Sequence, residues 1–462
     1  MQNYLIKNIS IVNEGHTFNS DLLIRNGLIE KIENNISVSY SVQEINGENL
    51  HLLPGCIDDQ VHFREPGLTH KATIFTESRA AIAGGTTSFM EMPNTLPPAF
   101  TQDLLEEKYA IAKQHSLANY SFYMGTSNEN AEEALRTNDR KKDICGIKIF
   151  MGSSTGNLLV DNYLTLDKLF AESEVLIATH CESESIIRKN LELFQSQGRE
   201  LTAADHPLIR NVEACFESSL TAVQFAKKHG SRLHIFHLST EKELGLFTNM
   251  IPLAEKRITA EVCVHHLHFS ADDYKRMGDR IKCNPAIKAP ENRDALWEAL
   301  LDDRLDLIAT DHAPHLLEEK GFYRDDSGRL QPLRGEAGSY LRAHAGLPLA
   351  QHALLLMLSY VKTGKISLEK LVEKMSHAVA VCFQIRNRGF IREGYYADLV
   401  LVDLNRSSDV HARNILYKCG WSPLEGETFP ATIVNTFVNG LLVYGNGSFF
   451  ESQMGQRLEF QR

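Results

Sequence analysis

The chain has 462 residues, of which 43% are hydrophobic and 23% charged, and its formal net charge is -11. That length suits one large domain with a smaller companion, because single cores stop growing at roughly 250–300 residues. The acidic balance excludes a nucleic-acid backbone or an anionic membrane as the main partner, since no basic excess is present to neutralise phosphates. No run nears the ~18 apolar residues of a membrane span, and MQNYLIKNIS lacks a basic stretch leading into an apolar one, so a cytoplasmic protein is expected.

Residues 1–53 alternate apolar and polar positions around Asn-Gly and Glu-Gly turns, as in DLLIRNGLIEKIENN, which predicts short strands. Residues 389–462 show the same style in FIREGYYADLVLVDLN and TIVNTFVNGLLVYGNGSFF, so the two ends are expected to pair into one small β-domain. Between them, over 54–388, eight apolar runs alternate with helical stretches. The runs are DDQVHF, residues 86–94, 120–127, 144–152, 175–182, 232–239, 258–267 and 305–315. Helices are predicted in IFTESRAAIAGG, DLLEEKYAIAKQHS, NAEEALRTN, LTLDKLFAES, NVEACFESSLTAVQFAKKHG and NRDALWEALLDD. Eight such units predict an α/β fold, a TIM (β/α)8 barrel with a small β-sandwich made by both termini. The eight cysteines are scattered without a CxxC pair and several sit in apolar runs, which predicts buried reduced thiols.

Polar residues fall where such a barrel carries its site. His62, Asn94, Lys148, His180, His237, His266 and Asp311 lie at or just past the C-terminal ends of different runs. Singly, a strand-end histidine is more often a hydrogen-bonded structural residue, and an aspartate before a turn is more often a helix cap. Jointly, His62, His180, His237 and Asp311 would converge on one pocket, and imidazoles with a carboxylate suit zinc. Gln60, His62 and Arg64 alternate along one strand and so project from one face, placing a metal ligand beside a clamp for an anion. Lys148 in GIKIFMG has an ordinary reading, an ammonium snorkelling to the rim or paired with Asp311. Beside a cation it would be repelled, unless reaction with carbon dioxide had turned it into a carbamate able to bridge two metals.

Together PGCIDDQVHFREPG, MPNT, GIKIFMGSSTG, ATHCE, IFHLS, IATDHAPH and GWSPLEGETFPATIVNTFVNG resemble the amidohydrolase superfamily, and within it the long, class I dihydroorotases. The resemblance spans nearly the whole chain. It implies a zinc-dependent cyclic amidase, with one or two metals per chain. His62 would hold the more buried metal, Lys148 as carbamate would bridge, His180 and His237 would hold the second, and Asp311 would be ligand and proton shuttle. Arg64, Asn94 and His315 would bind a substrate carboxylate, and Asn284 in KCNPAIK would contact the ring. A homodimer is implied as well. One departure stands out: Gln60 replaces the first histidine of the His-x-His usual in that family, and an amide oxygen is a weak or absent zinc ligand. Two further readings stay open, another cyclic amidase (dihydropyrimidinase, hydantoinase or allantoinase) and an inactive barrel partnering aspartate transcarbamoylase. Arg64 speaks against the first, and the presence of every other site residue against the second. Residues 316–344 form a long segment after the eighth run, read as a lid hinged at Gly335 and Gly338, or else as a subunit contact or surface insertion. His265, His266 and His268 are read as structural.

Overall fold

Short parallel strands, buried on both faces, occupy the middle of the chain in a computed structural model that describes residues 2–152 and 157–462. The end of the motif GIKIFMGSSTG, residues 153–156, lies outside the described residues. Cys56–Val61, Thr86–Glu91 and Asn119–Phe122 pair in order. Met124–Gly125, Ile147–Phe150, Ile177–His180, Leu233–Ile235, Ile258–Cys263 and Leu307–Ala309 form the remainder, also in sequence order. Tyr123 joins the two sets. Its N–H donates to Glu91 O (3.1 Å), while the next N–H, of Met124, donates to Gly146 O (3.0 Å), so the third barrel strand hands its pairing from the second to the fourth. The circle closes where His62 N–H donates to His312 O (2.7 Å) and the Asp58 carboxylate accepts from Thr310 N–H (3.2 Å). The expected (β/α)8 barrel is what forms.

Helices cover the outside with their apolar faces inward. Ile74–Ala83 begins at Thr73 in a reciprocal cap with Thr76. Val212–His229 starts on Asn211, whose side chain accepts from Ala214 N–H, and stops at Gly230 at φ 68°, a left-handed position that glycine adopts without cost. NAEEALRTN yields only the short helix Ala131–Leu135 and a 3-10 turn, for the stretch offers too few apolar positions to dock a longer one.

The termini meet in a nine-stranded sheet. Its order is Ser448–Phe449, Leu441–Gly445, Thr432–Val438, Leu399–Asp403, His51–Pro54, Tyr4–Asn13, His16–Arg25 and Leu28–Glu33, with Gln43–Asn46 also pairing with Tyr4–Asn13. Alternation sorts its side chains: Tyr4 and Ile6 enter one apolar cluster, Leu5 another. His51–Pro54 runs through Gly55 straight into the first barrel strand. A Cβ at Gly55 would meet Thr87 Oγ1 at 2.1 Å, so only glycine allows that passage. The far end of the barrel is filled by Ala378–Phe383 with Leu458 and Phe460 from the C-terminus. All eight cysteines are free and buried, and no described helix is long and apolar enough to cross a membrane.

The segment 316–344 is a folded arm. It carries the hairpin Phe322–Arg324 and Leu330–Pro332, and buried Lys320 closes its stem by donating to Lys282 O, His344 O and Gly346 O at 2.6–3.0 Å.

Candidate active site

One cavity of ≈ 210 Å³ opens at the C-terminal ends of the barrel strands, and every candidate residue reaches it: Gln60, His62, Arg64, Asn94, Lys148, His180, His237, Asn284, Asp311 and His315. Met92, Phe150, Ala313 and residues 344–346 complete its wall.

Two groups of nitrogen and oxygen donors face each other there. His180 Nδ1 lies 3.0 Å from His237 Nε2, and the other His180 nitrogen is 3.1 Å from the Glu182 carboxylate. Glu182 is itself paired with Arg210. Burial alone would raise this carboxyl, but Arg210 and His180 hold it at about 2. A carboxylate on the outer nitrogen fixes the imidazole tautomer and turns a lone pair of His180 toward the cavity, the arrangement that metal-binding histidines use. Opposite, His62 Nδ1 is 2.8 Å from Asn94 Oδ1 and its Nε2 is 3.2 Å from Asp311 Oδ1. Burial holds His62 and His237 below the usual histidine range, His237 well below, with His180 and Lys148 adding to the effect. Both are therefore neutral donors at physiological pH. His237 Nδ1 is buried without a hydrogen-bond partner among the described residues, an unpartnered lone pair of the kind a cation satisfies.

Lys148 sits between these groups with its Nζ over the rings of Phe236 (4.2 Å) and Phe150 (4.5 Å). Burial pulls its pKa down to about 7, so much of it is the free amine near neutrality. Gln60 points into the same space, and its Oε1 is 3.5 Å from Cys263 Sγ.

The other half of the cavity is built for an anion. Arg64 donates through Nε to Pro314 O (3.2 Å), which fixes its fork, and Nη2 lies 3.1 Å from His315 Nε2. On the far side of His315, Lys71 Nζ is 3.0 Å from Nδ1 and 2.8 Å from Glu319. Ala345 O only accepts and lies 3.1 Å from Nε2, so the single proton of neutral His315 sits on Nε2 toward that carbonyl and Nδ1 accepts from Lys71. Arg64, itself only a donor, is a close neighbour of Nε2 and not its hydrogen-bond partner. Burial and Arg64 keep His315 well below its usual range. Three of these residues sit in the left-handed region that non-glycine residues avoid: Arg64 (φ 68°), His237 (φ 39°) and Asp311 (φ 47°). A buried carboxylate braces each turn. Glu91 accepts from Phe63 N–H (3.1 Å), Glu261 from His237 N–H (3.1 Å), and Asp58 from Thr310 N–H.

Glu182, Arg210, Lys71, Glu319 and the three bracing carboxylates were not singled out from the sequence. Glu182 had a signal, being two residues past His180 in ATHCE and hence on the same side of an extended segment. Arg210 had none.

A barrel with nitrogen and carboxylate donors at its strand ends is a site able to hold a metal ion, and comparison with known proteins gives its class. Residues 51–443 match the model of the amidohydrolase family, and the chain belongs to that family. It is 31% identical over 447 residues to the dihydroorotase of Listeria innocua, covering 96% of this chain and 99% of that one. It is 32% identical over 398 residues to the dihydroorotase of Halobacterium salinarum, covering 85% and 86%. Among solved structures, the L-hydantoinase (dihydropyrimidinase) of Arthrobacter aurescens superposes with a TM-score of 0.90 at 25% identity, over 99% of this chain and all of that one. The dihydropyrimidinase of Brevibacillus agri superposes with a TM-score of 0.87 at 23% identity, over the whole of both chains, a likeness of fold.

Proposed function

We propose that this metal-dependent hydrolase of cyclic amides is a dihydroorotase, opening the ring of dihydroorotate to N-carbamoyl-aspartate and closing it in reverse. The observation that carries this reading is Arg64: a buried guanidinium held by Pro314 O, beside His315 Nε2, in the wall of the cavity that the metal-type donors line. Such a fork suits the free ring carboxylate that distinguishes dihydroorotate from hydantoins and dihydropyrimidines. The 31–32% identity to dihydroorotases supports the same choice.

The donor set suits zinc. His180 and His237 would hold one ion, His62 with Asp311 beside it and the weaker Gln60 would hold a second, and Lys148 as a carbamate would be shared between them. Zinc there supplies Lewis acidity and a nucleophile available near neutral pH. The chain supplies the rest. Arg64 would pair with the carboxylate, with His315 beside it in the same wall, and so fix the ring. Asn94, its oxygen committed to His62, keeps its amide N–H to donate to the anion. Asn284, whose Oδ1 is buried without a partner among the described residues, faces the ring N–H it can accept from. Asp311 takes the proton of the attacking water and returns it to the departing amide nitrogen.

The likeness to L-hydantoinase keeps a second reading in play, a cyclic amidase without a carboxylate requirement. Ring opening assayed before and after incubation with zinc and bicarbonate separates the two. Zinc-dependent turnover of dihydroorotate is expected; turnover of hydantoin or allantoin with none of dihydroorotate would overturn the assignment.

A further inference from the structure

A second donor cluster lies behind Gln60 and outside the cavity wall. The strand Ile258–Cys263 runs directly into the short helix Val264–His268, which places Cys263, His265 and His266 around one turn. A thiol and two imidazole nitrogens thereby come within 4.8 Å of one another, all three residues buried. The imidazoles lack the partners expected of buried polar groups. Neither nitrogen of His265 meets a well-aligned hydrogen-bond partner among the described residues, although the Thr310 carbonyl approaches its ring, and His266 Nδ1 has none. His266 Nε2 lies 3.1 Å from Pro285 O, a carbonyl that can only accept, so Nε2 carries the proton and Nδ1 is a bare lone pair. The same carbonyl fixes the ring as outer partners fix metal-binding histidines. The two rings stand 4.2 Å apart at 42°.

We propose that Cys263, His265 and His266 form a cation site for zinc or a similar thiophilic divalent ion. A thiolate with two imidazoles is a zinc-type donor set. Its neighbour is Gln60, whose Oε1 is 3.5 Å from Cys263 Sγ and offers a fourth, weaker donor. That side chain also lines the cavity and so stands between the cluster and the catalytic site. Binding displaces the Cys263 proton to solvent and leaves a metal–thiolate bond. Zinc bonds of about 2.3 Å to sulfur and ~2.0 Å to nitrogen would need the donors drawn together by roughly an ångström, within the reach of side-chain rotation. The site answers a weakness of the catalytic cavity, where an amide stands at position 60: the stronger donor is the thiol directly behind it. None of this depends on which cyclic amide the enzyme opens.

Cobalt(II) reports the site without any assay of activity. Chelator-treated protein reloaded with cobalt should show a thiolate-to-cobalt charge-transfer band in the near ultraviolet. Cys263→Ser should abolish that band and lose one bound cobalt, while Cys145→Ser, at a buried thiol in the apolar cluster with Leu458 and Phe460, keeps both. Crystals of the unmodified protein grown with zinc avoid any folding defect of a variant, and anomalous density about 2.3 Å from Cys263 Sγ is expected. A wild-type protein without the band, a band that survives Cys263→Ser, or anomalous density confined to the His62–Lys148–His180–His237 cavity would overturn the proposal.

Discussion

His180 shows how one side chain orients another. Its outer nitrogen faces Glu182, and Glu182 is held by Arg210, so the lone pair toward the cavity is fixed before any ion arrives. Glu182→Gln keeps the shape and removes the charge. It should weaken zinc binding about 10- to 100-fold, read by competition with a chelator. The same carboxyl links the site to pH. Held at about 2 against an ordinary 4.5, it stabilises the fold above pH 4.5, and that contribution is lost as pH falls toward 2. The acid-unfolding limb should therefore be shallower in Glu182→Gln, measured by circular dichroism from pH 6 downward. Most of this cavity was legible in the sequence, because strand ends of a barrel converge and period-two spacing shows which residues share a face. Arg210 was not legible, since it enters from a separate turn 28 residues away and no local pattern pairs it with Glu182.

Three strand-end turns hold the left-handed residues Arg64, His237 and Asp311, and each is tied to a carboxylate in the layer below. Burial pushes these acids up, Asp58 to about 7 and Glu261 to about 8, which marks how little water reaches them. Glu91 is the exception in having a cation beside it, Lys108, with both side chains fully buried. Lys108 also donates to Met92 O (2.8 Å), so one ion pair fixes the turn bearing His62 and Arg64 to the turn bearing Asn94. Glu91→Gln strands the lysine, and urea unfolding should show a loss of about 3–5 kcal/mol. Adding Lys108→Met should restore much of the stability while leaving KM raised, because the Phe63 N–H then has a weaker acceptor. From the sequence the strand Thr86–Glu91 was plain, but a single acid in an apolar run does not reveal its partner on a distant helix.

Both ends of the chain are stitched into one sheet, and the last residues then cross to the floor of the barrel. Leu458 and Phe460 are buried there, and Arg462 donates to Ile144 O, Cys145 O and Phe383 O. Removing residues 456–462 exposes that floor. Losing two such side chains should cost about 3–6 kcal/mol, seen as a lowered midpoint in urea, with the cavity residues untouched. The pairing of the termini was readable from their shared alternation of apolar and polar residues. The return of the C-terminus to the barrel was not, because QRLEFQR carries too few apolar positions to announce a docked segment.

Arg64 is the proposed selector of a ring carboxylate, and dihydrouracil, the same ring without that carboxylate, isolates its effect. The decisive measurement is kcat/KM for dihydroorotate and for dihydrouracil, in zinc- and bicarbonate-treated wild type and in Arg64→Met. The wild type should prefer dihydroorotate, and Arg64→Met should lose roughly 10- to 150-fold on it, the equivalent of about 1.5–3 kcal/mol for a charged hydrogen-bonded pair, with no loss on dihydrouracil. Equal losses on both substrates, or a wild type that prefers dihydrouracil, would contradict the account.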